Sequence, residues 1–591
     1  MSSSPSTLAM LRRLWRHVSP RRRMQFAMLL VLITLASLME IFSIGAVLPF
    51  LGVMTAPEHI YSHPRAQWII QALKFQSAQE LVFPISAVFV TLVMMSACTR
   101  LLVVWATARL TFATGADFSI AIYQRTLYQP YAVHIARNSS EVITGITAKS
   151  YRLIHNALLP ALTILSSAIM ITLVMSALLS IRPLVSLSAF GGFAAIYVGV
   201  IFLVKRRLYR DSQLIARETT QIMKALQEGL GGIRDVLIDG SQEQYCQTYR
   251  NADLPLRRAQ GDNTFISLSP RIVVEAMGMV LIVLLALWLN QQPGGLSTAI
   301  PILGVLAIGA QRLLPVLQQA YGAWVSLQGE VASVNDAIDL LDQPLPKWMQ
   351  EPLPPPLPYQ SGVQLHNVSY RYSEAMPWVL ENVNLSIRRG EKIGFIGTTG
   401  SGKSTLLDLL MGLLTPTRGH LSIDGEAIGI HNVRAWQACI AHVPQAIFLT
   451  DASVEENIAF GVPKAEIDTE RVREAARRAQ IDAVIEALPT GYLSPVGERG
   501  VRLSGGQRQR IGIARALYKR ARVIVLDEAT SALDSETEEA VMSAIAQLGP
   551  DVTVLMIAHR LTTLSTCDRI IELAGGAIKR EGSYREIVEG H

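Results

Sequence analysis

The sequence predicts a polytopic α-helical membrane domain of six transmembrane helices, followed by an α/β domain of the P-loop NTPase class. Three observations lead to this prediction. Apolar runs of about 20 residues recur through the first half, a glycine-rich phosphate loop lies in the last third, and a Pro-rich stretch from Gln343 to Pro358 separates them. We therefore expect an N-terminal segment at 1–23, a membrane domain at 24–342, a linker at 343–362 and a nucleotide-binding domain at 363–591.

The composition fits a membrane protein that carries a soluble domain. The 591 residues are too many for a single core, and 17% charged residues with a mean hydropathy of +0.31 make the chain more apolar than soluble proteins. The cysteines are scattered without metal-ligand or paired spacing. We therefore expect no structural disulfide among Cys98, Cys246, Cys439 and Cys567.

Six apolar runs define the predicted spans. They lie near residues 24–54, 81–109, 153–180, 184–204, 266–290 and 296–325, and the third and fourth are joined by almost no loop. One basic cluster precedes the first span and another follows the fourth: Arg12, Arg13, Arg16, Arg21, Arg22 and Arg23, then Lys205, Arg206, Arg207 and Arg210. Since positive residues favour the cytosolic side, both termini and the nucleotide-binding domain are expected in the cytosol.

A short amphipathic helix is predicted before the first span. Leu11, Leu14, Trp15 and Val18 recur at helical spacing with arginines between them, which is typical of a basic helix lying on the inner leaflet. A cleaved signal peptide is the competing interpretation. The apolar stretch that follows is about twice as long as the apolar region of such a peptide.

The phosphate loop is the strongest local motif. The pattern G-x-x-x-x-G-K-[ST] is matched by Gly397, Thr398, Thr399, Gly400, Ser401, Gly402, Lys403 and Ser404, with Thr405 following. Glycines in such a loop let backbone N–H groups surround the phosphates of a nucleotide. Lys403 is predicted to reach the outer phosphates and Ser404 Oγ to ligate Mg²⁺. The motif alone indicates only a nucleotide-binding protein.

Two carboxylates follow a predicted buried strand. Residues 523–526 form a short apolar run, and Asp527 and Glu528 come directly after it. Open α/β sheets bind ligands at the carboxyl ends of their strands. Asp527 is therefore predicted to hold Mg²⁺, and Glu528 to orient an attacking water.

Further elements surround these motifs in a fixed order. Tyr372 precedes the phosphate loop and Gln445 follows it, whereas Asp534 and His559 come after the two carboxylates. The sequence Leu503, Ser504, Gly505, Gly506 and Gln507 lies about a hundred residues after the loop. The ordered set resembles the ATP-binding cassette (ABC) family, and the resemblance covers essentially the whole chain.

The resemblance implies a role for each matching residue. Tyr372 would stack on adenine, Gln445 would sense Mg²⁺ and the γ-phosphate, and His559 would contact the γ-phosphate. Ser504 and its loop would complete the site of a facing subunit. The family thus implies ATP and Mg²⁺ as cofactors, the type IV exporter fold, and a homodimer whose nucleotide-binding domains meet head to tail. A heterodimer with a similar half-transporter is the alternative.

Taken one at a time, these residues also have ordinary structural roles. A single histidine is more often a hydrogen-bonded side chain than a ligand-binding one, and a lone Asp-Glu pair is often surface charge. Two other classes of protein share the nucleotide motifs. A soluble ABC ATPase acting on nucleic acid is opposed by the six spans, and a channel or regulatory subunit is opposed by the intact Glu528.

Three arginines lie inside the predicted spans: Arg100 in the second, Arg271 in the fifth and Arg312 in the sixth. An arginine at mid-bilayer costs about 2.5 to 3.5 kcal/mol on insertion scales, so each needs a partner. All three fall in the cytosolic half, where converging guanidinium groups would suit a phosphate or pyrophosphate substrate. The alternative is internal pairing, of Arg271 with Glu275 or of another arginine with Glu40.

Local sequence indicates the class of substrate. Residues 37–44, 269–275 and 311–315 resemble the transmembrane domain of bacterial lipid-linked oligosaccharide flippases, which turn over a polyprenyl-pyrophosphate glycan. That resemblance implies a related substrate for this chain, with lipid A or a hydrophobic drug as the alternative. Residues 68–73, expected outside, would form either an interfacial helix or an ordinary loop helix.

Two short coupling helices should connect the cytosolic extensions of the spans with the nucleotide-binding domain. We expect them near residues 121–129 and 229–239.

Overall fold

The chain divides into two compact units. The computed structural model describes residues 7–55, 57–61, 77–181, 183–290, 313–530, 532–547, 549–558 and 560–589. A helical unit comprises Met1–Gln129 and Arg137–Leu345, and an α/β unit comprises Pro130–Ala136 and Pro346–His591. The division after Leu345 falls inside the predicted linker, while the three boundaries between the four predicted segments stay a prediction.

Long α-helices dominate the first 345 residues. They are α1 (Thr7–Arg16), α2 (Pro20–Gly45), α3 (Val47–Thr55), α4 (Pro57–Tyr61), α5 (Val82–Leu127), α6 (Tyr131–Ala136), α7 (Ser139–Thr144), α8 (Ser150–Arg152), α9 (Leu159–Ile181), α10 (Pro183–Gly231), α11 (Ile233–Ile238), α12 (Gln242–Asn290), α13 (313–329) and α14 (Val331–Leu341). Short 3₁₀ helices occur at Ala78–Leu81 and Lys347–Gln350, and π-helical turns at Gly145–Lys149 and Leu153–Leu158.

Three described stretches are long and apolar enough to cross a membrane: Pro20–Ser43, Ala78–Leu127 and Val142–Ser176. They contain or overlap the first three predicted spans. The fourth and fifth predicted spans lie within α10 and α12, and the sixth is described only from residue 313, as α13. Helix α9 ends at Ile181 and α10 begins at Pro183, so the predicted near-absence of a loop there is confirmed.

The N-terminal helix forms where it was predicted, but its apolar face is buried in protein. Leu14 and Val18 are buried in one cluster with residues of α14, whereas Trp15 stays 45% exposed. Arg13 adds ion pairs to Asp339 at 2.7 Å and Asp342 at 2.5 Å. Most of that face packs against the chain's own helices, while its position on the inner leaflet stays a prediction.

The π-helical turns flank a buried ionic contact. Arg152 donates to Glu330 at 2.7 Å, to Ser333 at 2.9 Å and to Thr219 at 2.9 Å, and the side chains of Arg152 and Glu330 are only 14% and 13% exposed. A buried guanidinium needs such partners, because an unpaired charge in the protein interior is costly. The contact fastens the start of the third predicted span to α10 and to the residue preceding α14.

We expect Arg152→Met to destabilise the protein by about 3 to 5 kcal/mol, because it leaves Glu330 buried without its charge partner. The double variant Arg152→Met with Glu330→Gln should recover most of that loss. Thermal unfolding in detergent would measure both. Arg217→Met is the matched control, since Arg217 is 78% exposed and lies 3.7 Å from Glu218, and exposed pairs contribute about 0 to 1 kcal/mol. Equal losses in the single and double variants would contradict the argument.

A short helix lies at one of the two positions predicted for a coupling helix, but not at the other. Helix α11 falls inside the expected 229–239, but residues 121–127 continue α5, and the separate helix is α6, after Pro130. Proline disfavours helical backbone at the residue before it, which accounts for the break. The chain from Pro130 to Ala136 belongs to the α/β unit.

The α/β unit contains two sheets. Their strands are β1 (Gly362–Tyr370), β2 (Leu380–Arg388), β3 (Lys392–Ile396), β4 (Arg418–Ile423), β5 (Glu426–Ala427), β6 (Ile440–Val443), β7 (Val523–Asp527), β8 (Thr553–Ile557), β9 (Arg569–Ala574) and β10 (Ala577–Gly582). The first sheet has the order β2-β1-β4-β5 and is antiparallel. The second has the order β10-β9-β3-β8-β7-β6 and is parallel except for β10.

Helices surround these sheets: α15 (Lys403–Leu410), α16 (Val433–Gln437), α17 (Val454–Ile458), α18 (Thr469–Arg478), α19 (Asp482–Glu486), α20 (Gly505–Lys519) and α21 (Ser535–Ala546). The buried strands β3, β7 and β8 separate two apolar cores. In one core the fully buried Trp436 donates from Nε1 to the carbonyl oxygen of Leu410 at 2.8 Å. This contact fixes the end of α15, the helix that follows the phosphate loop.

Candidate active site

The predicted nucleotide residues gather at one edge of the parallel sheet. Strand β3 leads into the phosphate loop, β6 leads to Gln445, and β7 ends at Asp527. These strands run in the same direction within one sheet, so their carboxyl ends meet. Strand direction therefore brings together motifs that are more than a hundred residues apart in sequence.

The phosphate loop has the backbone that its glycines permit. Gly397, Gly400 and Gly402 have φ values of 147°, 82° and 97°, in the region that favours glycine. A Cβ at Gly397 would lie 2.2 Å from the carbonyl oxygen of Leu573. Lys403 Nζ donates to the carbonyl oxygens of Gly397 at 2.8 Å and Thr398 at 3.1 Å. The ammonium group is thus held over the loop, where it would meet the outer phosphates of a nucleotide.

The residues around Lys403 fit a phosphate ligand. Ser401 is 3% exposed, and its Oγ has no hydrogen-bond partner within the described part of the chain. An orphaned buried hydroxyl is uncommon, and a phosphate oxygen would satisfy it. Thr398 and Thr399 are exposed in the same loop, and Ser404 presents an exposed hydroxyl at the start of α15. The N-terminus of α15 also favours a phosphate, because the free N–H groups at the start of a helix carry partial positive charge.

Two residues hold each other beside this loop. Glu528 has φ 51°, which is unusual for a residue other than glycine, and its N–H donates to the carbonyl oxygen of Ile557 at 2.9 Å. Gln445 Nε2 donates to Glu528 Oε2 at 2.5 Å. A strained backbone kept in place by a neighbouring strand indicates a fixed side-chain direction. Glu528 is therefore positioned rather than free to rotate with a surface turn.

Oxygen donors at this edge suit Mg²⁺. Ser404 supplies a hydroxyl, Asp527 a carboxylate and Gln445 an amide oxygen, and Mg²⁺ is commonly held by one or two carboxylates together with substrate phosphates. Across the described residues there is no cluster of three or more His, Cys, Asp or Glu side chains that could hold a metal alone. The donor set fits an ion that arrives with a nucleotide.

Tyr372 lies beside the loop. Strand β1 ends at Tyr370, which is buried, whereas Tyr372 follows it, is 44% exposed and has its hydroxyl 3.1 Å from Thr405 Oγ1. The two rings meet edge to face at 5.1 Å. Tyr372 thus lies beyond the end of the strand, next to the helix that follows the phosphate loop.

The second glycine-rich motif begins a helix. Ser504 is the N-cap of α20: its Oγ accepts from the Gln507 N–H at 3.2 Å, and Gln507 Oε1 accepts from the Ser504 N–H at 2.9 Å. A Cβ at Gly506 would lie 3.0 Å from the carbonyl oxygen of Ala532, while Gly505 is less crowded. Gln509 Oε1 accepts from the Ala532 N–H at 2.9 Å. The motif is thereby attached to the loop that ends at Asp534.

Asp534 caps the next helix. Its carboxylate accepts from the Thr537 N–H at 2.9 Å and is the N-cap of α21. That backbone hydrogen bond holds the pKa of the Asp534 carboxyl below its ordinary value. Asp534 is therefore ionised at neutral pH and helps to fix the direction of the chain between Glu528 and α21.

Two residues of this region were missed from the sequence. Gln509 falls two positions after the glycine-rich motif, and its link to Ala532 depends on tertiary structure. Asp408 lies on α15, and burial, together with the charge of Asp527, raises the pKa of the Asp408 carboxyl to about 6. The position of Asp408 one turn after Ser404 was the available signal. His559 lies outside the described residues.

This pKa gives an expected pH dependence. The ordinary pKa of an aspartate is 3.8, so between pH about 4 and about 6 the folded state retains a proton on Asp408 that the unfolded chain releases. The free energy of unfolding should therefore fall as pH rises through this window. Asp408→Asn should flatten that decline in thermal unfolding of the nucleotide-free protein in detergent. Asp551→Asn, at a carboxylate that is 73% exposed, is the control, and an unchanged slope in Asp408→Asn would contradict the assignment.

The intramembrane arginines do not form a comparable site among the described residues. Arg100 Nη1 donates to Glu40 Oε1 at 3.3 Å, with Glu40 almost fully buried, which is the internal pairing that the sequence left as the alternative. Arg271 is exposed on α12. Arg312 and the segment 68–73 lie outside the described residues. All four cysteines are described and free, as predicted.

Comparisons with known proteins identify the family. The family model described as "ABC transporter" matches residues 380–531. The ATP-dependent lipid A-core flippase of Alkalilimnicola ehrlichii is 34% identical over 390 residues, and that of Paraburkholderia xenovorans is 30% identical over 485 residues, covering 80% of this chain and 79% of the relative. The Alkalilimnicola match spans 65% of each protein, so the chain aligns with somewhat less than two thirds of that relative's length.

The fold has a match among solved structures. A bacterial Atm1-family ABC exporter with ATP bound superposes with a TM-score of 0.75 at 22% identity, covering 93% of this chain and 96% of that one. The fold and site thus define an ABC ATPase domain fused to a helical membrane domain, in the type IV exporter fold. The chain belongs to the ABC transporter family, as a half-transporter.

Proposed function

We propose that this protein is an ATP-driven exporter that moves a phosphate-bearing lipid from the inner to the outer leaflet of a bacterial inner membrane. The observation that carries the proposal is the assembled edge of the parallel sheet, where Lys403 is held over the phosphate loop and Gln445 is bonded to Glu528. This edge occurs in the same chain as three helical stretches long enough to cross a membrane. The termini and the ATPase domain are in the cytosol, on the side of the basic clusters.

Each residue at this edge of the sheet has a separate role in ATP hydrolysis. Glu528 orients the attacking water, and its fixed backbone and its bond to Gln445 limit the directions from which that water can approach. Lys403 and the N–H groups of the phosphate loop stabilise charge on the transferred phosphoryl group. Ser404, Asp527 and Gln445 would hold Mg²⁺, and the bound ion would supply further positive charge to stabilise the transferred phosphoryl group.

Two copies would complete each site. In the proposed homodimer, Ser504 at the N-terminus of α20 faces the γ-phosphate bound by the partner's phosphate loop, and Asp534 lies beside the same junction. Glu528 and the motif from Leu503 to Gln507 are both intact, so both sites would hydrolyse ATP. Closure on ATP and opening after hydrolysis would then alternate the access of the membrane domain.

A lipid A-type glycolipid is the substrate we favour. Two relatives at 34% and 30% identity carry the name lipid A-core flippase. A lipid-linked oligosaccharide was the principal expectation from local sequence. Arg100, one of the three arginines on which pyrophosphate recognition depended, pairs with Glu40. Both lipids carry phosphate next to long hydrocarbon chains. A transport experiment is therefore needed to distinguish them.

Reconstitution tests this function. Liposomes containing the purified protein would be given a lipid A-type glycolipid, a lipid-linked oligosaccharide or a cationic dye. Mg²⁺-ATP would be added outside. Transport would be measured as the fraction of the substrate that becomes protected from externally added reagents. We expect ATP-dependent movement of the lipid A-type glycolipid only, and none in Glu528→Gln. Movement of the oligosaccharide lipid alone would restore the original expectation, and movement of neither lipid would exclude lipid export.

A further inference from the structure

A groove runs between the first two long helices of the helical unit. It has a volume of about 820 Å³ and lies between α2 and α5. Leu29 and Leu32 line one side, and Trp105 and Phe112 line the other. Trp105 is 61% exposed and Phe112 is 50% exposed, although both are large aromatic side chains. The walls are therefore apolar and accessible from outside the helical unit.

The groove occupies the half of each helix nearer to the basic N-terminal segment. Arg22 bonds Asp117 and Glu40 bonds Arg100, so α2 and α5 run antiparallel, and the groove lies toward the Arg22 end. From Arg22 to Leu32 the helix rises about 15 Å, at about 1.5 Å per residue. The hydrocarbon core of a bilayer is about 30 Å thick, so the groove has the depth of one leaflet.

The charges of the groove are unbalanced. Arg22 donates to Asp117 at 2.8 Å and to Gln25 at 3.1 Å, so its guanidinium is already engaged. Arg109 also lines the groove and is exposed, and it makes no ion pair or hydrogen bond within the described ranges. It lies one turn from Trp105, at the inner end of the second predicted span. The groove thus has apolar walls and one guanidinium group without a charge partner among the described residues.

A guanidinium next to an apolar groove matches the chemistry of a phosphate-bearing lipid. Phosphate accepts hydrogen bonds from the paired N–H groups of arginine, and hydrocarbon chains replace the water that would otherwise contact Leu32, Trp105 and Phe112. A zwitterionic lipid would bring its own cation to Arg109, whereas an anionic lipid brings net negative charge. Tryptophan at this depth is typical of the interface between headgroups and chains.

We propose that this groove binds one anionic phospholipid of the adjacent leaflet, with its phosphate on Arg109 and an acyl chain along Leu32, Trp105 and Phe112. This lipid is a resident ligand of the helical unit rather than the exported substrate. The assignment to the cytosolic leaflet rests on the proposed orientation, but the binding itself does not depend on transport. It would hold α2 against α5 next to the Arg22–Asp117 pair.

Quenching of Trp105 fluorescence by brominated lipids tests the proposal. Full-length protein would be placed in nanodiscs of unlabelled phosphatidylcholine containing an equal mole fraction of either dibrominated phosphatidylglycerol or dibrominated phosphatidylcholine. The chain has 8 tryptophans, so the share of Trp105 is taken as the difference between the wild type and Trp105→Phe. We expect the anionic lipid to occupy the groove with about fivefold preference, in keeping with one interfacial arginine.

Variants at matched positions separate charge from structure. Arg109→Gln should remove the preference for the anionic lipid, and Arg109→Lys should retain it. Arg12→Gln should also retain it, because Arg12 is an exposed arginine of the N-terminal helix that does not line the groove. Retention in Arg109→Lys shows that loss in Arg109→Gln is not caused by misfolding.

Three outcomes would overturn the proposal: equal quenching by the two lipids, an unchanged preference in Arg109→Gln, or no quenching of Trp105 by either lipid. The last would indicate that protein, such as a second copy of the chain, covers the groove. Failure of the transport assay leaves these readouts unaffected. The lipid site and the proposed function can therefore fail independently.

Discussion

Glu528→Gln should reduce steady-state ATP turnover by about 100-fold or more while ATP binding is retained. The amide has the same shape as the carboxylate, so it can stay in its strained backbone position and still contact Gln445. It cannot orient water as a base does, because it carries no negative charge. Release of inorganic phosphate, measured beside retention of labelled ATP on the purified protein, would separate the two effects.

Two controls make this prediction specific. Glu498→Gln changes a carboxylate in another loop of the same domain, outside the predicted site, and should leave turnover near the wild-type value. Asp527→Asn should weaken Mg²⁺-dependent binding as well as turnover, because Asp527 is predicted to hold the metal. Wild-type turnover in Glu528→Gln would remove Glu528 from its proposed role.

The second large effect concerns how two chains share each site. Lys403→Ala removes the ammonium over the phosphate loop, and Ser504→Arg places a long cation at the start of α20, where the proposed partner's nucleotide would lie. Dimers of one chain carrying Lys403→Ala and one carrying Ser504→Arg should retain turnover, because one of the two composite sites is then intact. Dimers of a doubly substituted chain with a wild-type chain should have no intact composite site and no turnover.

Mixed dimers can be isolated with a different affinity tag on each chain. Dimers of two tagged wild-type chains give the reference rate, and phosphate release is measured for all combinations at the same protein concentration. The opposite pattern, with turnover in the doubly substituted mixture and none in the other, would place each site within one chain. Turnover by a purified monomer would remove the dimer from the mechanism.

The α/β unit was predictable to a degree that the helical unit was not. The phosphate loop, Gln445 and Asp527 each follow an apolar strand, and in a parallel sheet the strand direction alone brings these residues to one edge. Sequence order therefore carried three-dimensional information. The shifted pKa of Asp408 could not be predicted from the sequence, because it depends on the packing of α15 against the end of β7.

In the helical unit, sequence predicted elements better than contacts. Apolar length predicted helical spans, but it could not determine that Leu14 would pack against α14, or that Arg100 would pair with Glu40. Helical spacing defines an apolar face without identifying what covers it. The first short coupling helix was misplaced because apolar residues continue up to Leu127, whereas Pro130 determines the break.

The grouping of residues 130–136 with the α/β unit has a consequence for how force is transmitted. The polypeptide passes between the two units three times, after Gln129, after Ala136 and after Leu345. The first of these junctions follows a helix of 46 residues, whose length is about 69 Å at about 1.5 Å per residue. Only residues 128–130 separate the end of that rod from the short helix, so the backbone itself ties the motion of one to the other.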